Sequence, residues 1–316
     1  MNAEQKGWLH VLEKDFRTLD VDHVRDVLNA CVKCGADINE VNIAKIINDE
    51  PDNFLNNSNS DDDWYHIDET INMMELFYEY GYNFDGLEVD GKPILNLLIG
   101  NSLEHEDFIE RLISGGAKLD GNIVDDDGYT PLHEATRDPF NDPLVELLLD
   151  SGAEVDAQNI YQSTPLILAC CHGSIYSAKL LVEHGANVNL ADDDGETPLM
   201  GLARCGADED VVMDGMTVLL NAGADIHAQD KYGNTALHKA VFMENKLLVR
   251  FLLEHGADWT IKDVDGNSAL DLAEEVADRR PEIRDIIKTY DERKRLEATL
   301  KASEPVAETK KSKMKI

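Results

Sequence analysis

The sequence predicts an all-α solenoid, built of helix–turn–helix units joined by β-turn fingers. Three observations predict it. A first phrase, Asp127-Gly128-Tyr129-Thr130-Pro131-Leu132-His133-Glu134-Ala135, recurs as Ser163-Thr164-Pro165-Leu166 and as Asp194-Gly195-Glu196-Thr197-Pro198-Leu199. Further copies are Gly233-Asn234-Thr235-Ala236-Leu237-His238-Lys239-Ala240 and Gly266-Asn267-Ser268-Ala269-Leu270. A second phrase alternates with it: a Leu-Leu pair (148–149, 180–181, 219–220, 252–253) followed by Gly152-Ala153, Gly185-Ala186, Gly223-Ala224 and Gly256-Ala257. Finally, Gly152 to Gly185 and Gly223 to Gly256 each span about 33 residues, a period that belongs to stacked repeats.

Each part of the unit has a physical reason. Thr130, Thr164, Thr197 and Thr235 stand where a helix needs an N-cap, and a hydroxyl there satisfies an orphan backbone amide. Pro131, Pro165 and Pro198 follow at the first helical position, where a missing N–H costs nothing. The Leu-Leu pair closes a second helix, and the next glycine takes the left-handed conformation that ends it. Gly128, Gly195, Gly233 and Gly266 suit the turn that returns the chain to the next unit. One unit cannot bury its apolar face alone, whereas a stack buries a continuous core. Gly185 to Gly223 is longer than the period, which predicts a loop insertion between Cys205 and Val212.

These phrases resemble the ankyrin repeat family from roughly Asp125 to Ala273, which implies an ankyrin-repeat solenoid and a protein-binding role. The resemblance implies that His133 and His238 bond within their repeat and to the next, and that the turn tips and first helices line a concave groove. On this chain the groove positions are Asp126, Asp127 and Tyr129, then Ile160, Tyr161 and Ser163, then Asp193, Asp194 and Glu196. Lys231, Tyr232 and Asn234 follow, then Val264, Asp265 and Asn267. Tyr129, Tyr161 and Tyr232 form an expected aromatic stripe. Phe242 and Met243 either pack in the core or add an apolar patch to the groove. The usual histidine is replaced by Ile167, Met200 and Asp271, and Gln162 stands where the turn glycine belongs, which predicts a reshaped turn.

Outside this stretch the pattern weakens. Residues 1–124 read as divergent repeats: Val27 to Asn39, Met74 to Asn83 and Leu112 to Asp120 are worn second phrases, and Gly91-Lys92-Pro93-Ile94-Leu95 is a worn first phrase. Trp8, Leu9, Leu12 and Phe16 share one face of an opening helix. Asn56 to Asp63 is a polar, acidic inserted loop. After the strong repeats (125–275), residues 276–302 predict a capping helix carrying Ile283, Ile286, Ile287 and Tyr290 on one face. Residues 303–316 predict a disordered, lysine-rich tail.

The formal net charge is −34. It argues against nucleic acid or an anionic membrane surface as partner, and favours a basic protein reached by salt-sensitive association. Charge is uneven: residues 279–316 hold 12 Lys/Arg against 7 Asp/Glu, an excess of +5 that leaves −39 for the rest. Five cysteines without framework spacing read as reduced thiols in a cytoplasmic protein. Cys31 and Cys34 form half a metal motif with no second pair, and adjacent Cys170, Cys171 and His172 point to different sides of a helix. Catalytic, phosphate-loop and metal motifs are missing, so the expectation is a monomeric, non-enzymatic binding module without cofactor. The charge supports a second reading, an acidic inhibitor that neutralises a basic toxin or nuclease.

Overall fold

The computed structural model describes residues 1–15, 21–43, 63–84, 87–89, 92–100, 106–115, 124–139 and 141–303. The chain is helical and forms two compact units, Met1–Asp193 and Asp194–Ile316. That division falls inside the run of strong repeats.

In the first unit, α1 (Ala3–Asp15) and α2 (Val21–Cys34) pack as a pair, and α3 (Asp63–Glu79) packs on α2. Leu9 and Leu12 are buried as their helical spacing predicts, while Phe16 lies outside the described residues. An antiparallel pair of two-residue strands, β1 (Glu88–Val89) with β2 (Lys92–Pro93), precedes α4 (Ile94–Gly100). The worn phrase at Lys92–Leu95 therefore makes a small sheet before its helix begins. Then follow α5 (Glu106–Ser114), α6 (Pro131–Thr136), α7 (Asp142–Asp150), α8 (Pro165–His172) and α9 (Ile175–Glu183). First helices stack on first helices, α4 on α6 on α8, and second helices on second, α5 on α7 on α9. Leu132, Leu148, Leu166 and Leu181, all from the repeated phrases, are sealed in the core between them. Gly35 and Gly81, which end the worn second phrases, adopt φ of 70° and 88°, the helix stop seen at Gly152 and Gly185. Most of the acidic loop expected at Asn56 to Asp63, and the second phrase beyond Gly115, lie outside the described residues; Asp63 opens α3.

The second unit repeats the arrangement with α10 (Pro198–Arg204), α11 (Glu209–Asn221), α12 (Ala236–Phe242), α13 (Lys246–Glu254), α14 (Ala269–Glu275) and α15 (Pro281–Ser303). Here α10, α12 and α14 stack as first helices, and α11, α13 and α15 as second. Of the stretch 205–212, where a loop insertion was expected, 205–208 are non-helical and 209–212 open α11, which has 13 residues where α7, α9 and α13 have nine. Its extra turn buries Val212 in the core, so residues 209–212 extend the helix rather than loop into solvent. Helix α15 packs Ile283 and Ile287 against α13 and α14, and Tyr290 meets Trp259 edge-on at 5.4 Å. Residues 304–316 lie outside the described residues.

Candidate functional site

The fingers are built from one repeated local device. A carboxylate or amide oxygen three residues before the turn position accepts two backbone amides. Asp125 takes those of Asp127 (3.1 Å) and Tyr129 (2.8 Å), and Asn159 takes those of Tyr161 (3.0 Å) and Ser163 (2.9 Å). In the second unit Asp230 holds Tyr232 and Asn234, and Asp263 holds Asp265 and Asn267. The sequence carried this signal, an Asx at constant offset from the turn glycine, and the phrase reading passed over it.

Gln162 does not reshape its turn. It adopts φ of 57°, and its amide donates to the Asn159 carbonyl at 2.9 Å, as Gly128 does to Asp125. Four neighbouring hydrogen bonds over-determine the turn, so the non-glycine residue is forced into the left-handed region.

Successive fingers touch edge to edge. In the first unit the amide of Ile160 donates to the Asp127 carbonyl (3.0 Å), and that of Asp193 to the Tyr161 carbonyl (2.9 Å). In the second unit Lys231 donates to Asp194, and Val264 to Tyr232, both at 2.9 Å. This nesting requires glycine at 233: a Cβ there would stand 2.9 Å from Asp263 Cα.

The histidines do what the resemblance implied. The Thr130 amide donates to His133 Nδ1 (3.1 Å), so the ring proton sits on Nε2 and is donated to the Ser163 carbonyl (3.0 Å). His238 makes the same bonds to Thr235 and Asn267. Burial pushes both imidazoles below their ordinary value, against the pull of the accepting carbonyls. Asp271 replaces the ring with a carboxylate that accepts from the Ser268 amide and hydroxyl. Met200 can do neither, and Thr197 Oγ1 is left buried without a partner.

The expected groove residues separate into two groups. Asp126 and Asp127 are exposed and make no ion pair among the described residues, and the same holds for Asp193. Ile160 is 60% and Tyr161 46% exposed. Tyr129 is half-buried, edge-on to His133 with the Arg137 guanidinium 5.8 Å from its ring centre.

In the second unit Asp194, Asp230 and Glu196 are neutralised by cations of the same unit, while Asp265 stands exposed at the last tip. Glu196, expected as an exposed tip, is only 7% exposed. It is held by Arg204 (2.8 Å) and lies 3.7 Å from Lys239. That burial corrects the tip assignment: Arg204 and Lys239 project from the first helices onto the carboxylate. Lys239 also meets Asp230 at 2.7 Å. Burial opposes the Asp230 charge, but the Lys239 and Asn234 hydrogen bonds outweigh it and hold the carboxyl below its ordinary range. Asp194 pairs with Lys231, whose ammonium also lies 5.2 Å from the Tyr232 ring centre. Asn234 spends its amides on Asp230. Tyr232 and Val264 stay exposed at the tips.

At the far end of α12, Phe242 is 78% exposed and Met243 is also at the surface. Of the two placements considered, the structure puts them outside the core. Phe242 borders a cavity of about 380 Å³ with Leu272, Glu275 and Val276.

None of the five cysteines forms a disulfide. Burial pushes the Cys31 thiol up to about 11, so it is inert as a nucleophile, and Cys34 bonds the Cys31 carbonyl. His172 turns its Nδ1 to the Leu168 carbonyl. Among the described residues no three metal-binding side chains converge, and no helix is long and apolar enough to cross a membrane.

With two finger-to-finger bonds in each unit and histidine-capped first helices stacked behind them, the fold can be set beside known proteins. Family models described as "Ankyrin repeats (3 copies)" and "Ankyrin repeats (many copies)" match residues 66–159 with 139–213, and 219–273. The chain belongs to the ankyrin repeat family. Half of this ankyrin-repeat protein is 36% identical to 14% of "Ankyrin repeat protein nuc-2" of Neurospora crassa. It is 32% identical, over 60% of its length and 10% of the relative, to "SH3 and multiple ankyrin repeat domains protein 2" of Homo sapiens. It is 34% identical, over 53% of its length and 6% of the relative, to "Neurogenic locus notch homolog protein 1" of Xenopus laevis. The matched stretches thus span a small fraction of these relatives. Ankyrin repeats are protein-interaction scaffolds, and the match reaches to residue 66, into the worn N-terminal repeats.

Proposed function

We propose that this ankyrin-repeat protein is a non-enzymatic binding module that engages a partner protein through its fingers and first-helix ends, the surface that lines the concave face of such stacks. One observation carries the reading. Large apolar side chains stand in solvent where the fold does not use them: Ile160 and Tyr161 in the first unit, and Tyr232, Val264, Phe242 and Met243 in the second. Exposed aromatics on rigid backbone are the commonest anchors of protein interfaces, because they bury a large area at little entropic cost. The acidic tips Asp126, Asp127, Asp193 and Asp194, with Lys231 and Asn234, supply the polar rim around them. Glu196 acts from beneath by holding its finger. Five cysteines without a disulfide fit a reducing, cytoplasmic setting.

The test is capture from source lysate by the full chain beside a Tyr161→Ala/Tyr232→Ala variant and a Phe242→Ala variant, followed by titration of whichever protein the wild type retains. Loss of about 2 kcal/mol in binding for either variant supports the reading. Wild-type affinity in both would move the interface off the fingers and first-helix ends.

A further inference from the structure

Charge divides unequally between the two units. Residues 1–193 hold 11 Lys/Arg against 39 Asp/Glu, a net −28, whereas residues 194–316 hold 18 against 24, a net −6. The local arrangement follows the same split. In the second unit Lys231, Lys239 and Arg204 are spent on Asp194, Asp230 and Glu196. In the first unit the position of Lys239, four residues after the capping threonine, is Leu168 in one repeat and Glu134 in the other. Neither brings a cation to the fingers. Arg137, the counterpart of Arg204, pairs with Glu134 and stacks by Tyr129.

Three consecutive tips of the first unit therefore present Asp126 and Asp127, then Ile160 and Tyr161, then Asp193. The bonds from Ile160 to Asp127 and from Asp193 to Tyr161 hold them side by side. An exposed apolar pair sits between two sets of carboxylates that no cation of the described residues neutralises.

We infer that these three fingers bind an extended, lysine- or arginine-bearing segment of a partner protein, with an apolar side chain of that segment seated on Ile160 and Tyr161. Charge complementarity selects this occupant. An acidic segment would meet uncompensated repulsion, and a purely apolar one would leave the carboxylates unpaired at the rim of the contact. The spacing agrees, since neighbouring side chains of an extended chain point to opposite faces and alternate residues lie about 7 Å apart on one face. Basic residues on either side of an apolar one can thus reach the flanking fingers while it covers the middle finger. The inference rests on the finger-binding reading above and adds the chemistry of the partner.

The probe is a synthetic twelve-residue lysine–leucine peptide of repeat Lys-Ser-Leu-Ser, which sets lysine and leucine alternately on one face, with Lys-Ser-Ser-Ser and Glu-Ser-Leu-Ser repeats as controls, titrated against the full chain. Two variants carry equal charge changes at exposed positions: Asp126→Asn/Asp127→Asn/Asp193→Asn in the fingers, and Asp208→Asn/Asp210→Asn/Asp278→Asn away from the fingers in the second unit. Expected is binding of the lysine–leucine peptide that weakens about ten-fold or more in the finger variant and less than about three-fold in the other. It should also weaken with Ile160→Ser/Tyr161→Ser or on replacing leucine by serine. Equal losses in both charge variants would show diffuse attraction to an acidic surface and overturn the inference, as would undiminished binding in the finger variant. Far-ultraviolet circular dichroism confirms that each variant keeps its helices. A captured natural partner that needs Tyr161 but is indifferent to the three aspartates would leave the finger interface standing and remove only its basic partner.

Discussion

The fingers of the two units share one backbone and differ in how they handle charge. At Asp230 the acid that closes the turn also receives Lys239, which reaches on to Glu196, so second-unit fingers are braced to the first helices by ionic bonds. At Asn159 the same turn is closed by a neutral amide, Leu168 stands where Lys239 would be, and Asn159 Nδ2 is buried without a partner. The acids of the first unit stand outward at the tips instead. A carboxylate inside the turn stiffens the finger, while one at its tip is available to a partner. Two copies of one motif thus place their acids differently, one set in support of the fold and the other on the surface proposed for recognition.

The largest effect should come from glycine. Gly233→Ala places a methyl against Asp263 backbone at a φ of 78° and is expected to cost about 2–4 kcal/mol by urea unfolding. Gln162→Gly, in the corresponding turn of the other unit, should instead stabilise by about 0.5–1 kcal/mol, since it relieves a left-handed side-chain residue. If Gln162→Gly destabilises, the turn is not strained and the comparison fails there.

Next come the braces. Lys239→Met should cost about 1–2 kcal/mol, because it strands Asp230 beneath the surface, while Glu196 keeps Arg204. In the first unit Leu168→Lys with Asn159→Asp rebuilds the ionic form and should gain a fraction of that. No gain would mean that the brace needs Glu196 as well.

The caps give a smaller contrast. Thr130→Val removes a hydroxyl that caps His133 and should cost about 1 kcal/mol, whereas Thr197→Val removes an oxygen with no partner and should be near neutral. Equal thermal shifts for the two would contradict the difference drawn between a histidine and a methionine at the capping position.

The mildest effect is on pH. His133 and His238 have folded-state values below the ordinary 6.5, so the unfolded chain binds protons more readily as pH falls. Their contribution is whole above about pH 6.5 and is lost progressively below it. His133→Gln/His238→Gln should flatten this part of the stability curve. Asp230, with its folded value depressed, adds stability that is present above its ordinary range and lost as pH falls through the lower, folded one.

The fold was legible because its signals are local. Thr130 and Pro131 cap and start a helix whatever surrounds them, and Gly152, Gly185, Gly223 and Gly256 stop one at φ near 90°. Two spaced phrases therefore specified the unit, and stacking followed from the apolar faces that each unit leaves open. Where neighbours decide, the sequence was silent or misleading. Gln162 kept a glycine turn because bonds around it outweighed its own preference. Residues 209–212 became a helical turn because the Val212 side chain found a place in the core. Phe242 lies outside it, at the border of a cavity beside α14. The candidate surface divides in the same way. That Asp126, Tyr161 and Tyr232 sit on fingers was set by the repeat period. That Glu196 is buried and bonded while Asp127 stands free was decided by Arg204 and Lys239, which lie eight and 43 positions further along and reach it only once the helices have stacked. Local chemistry writes secondary structure into the sequence, but the burial of a charge depends on which distant cation the tertiary structure brings to it.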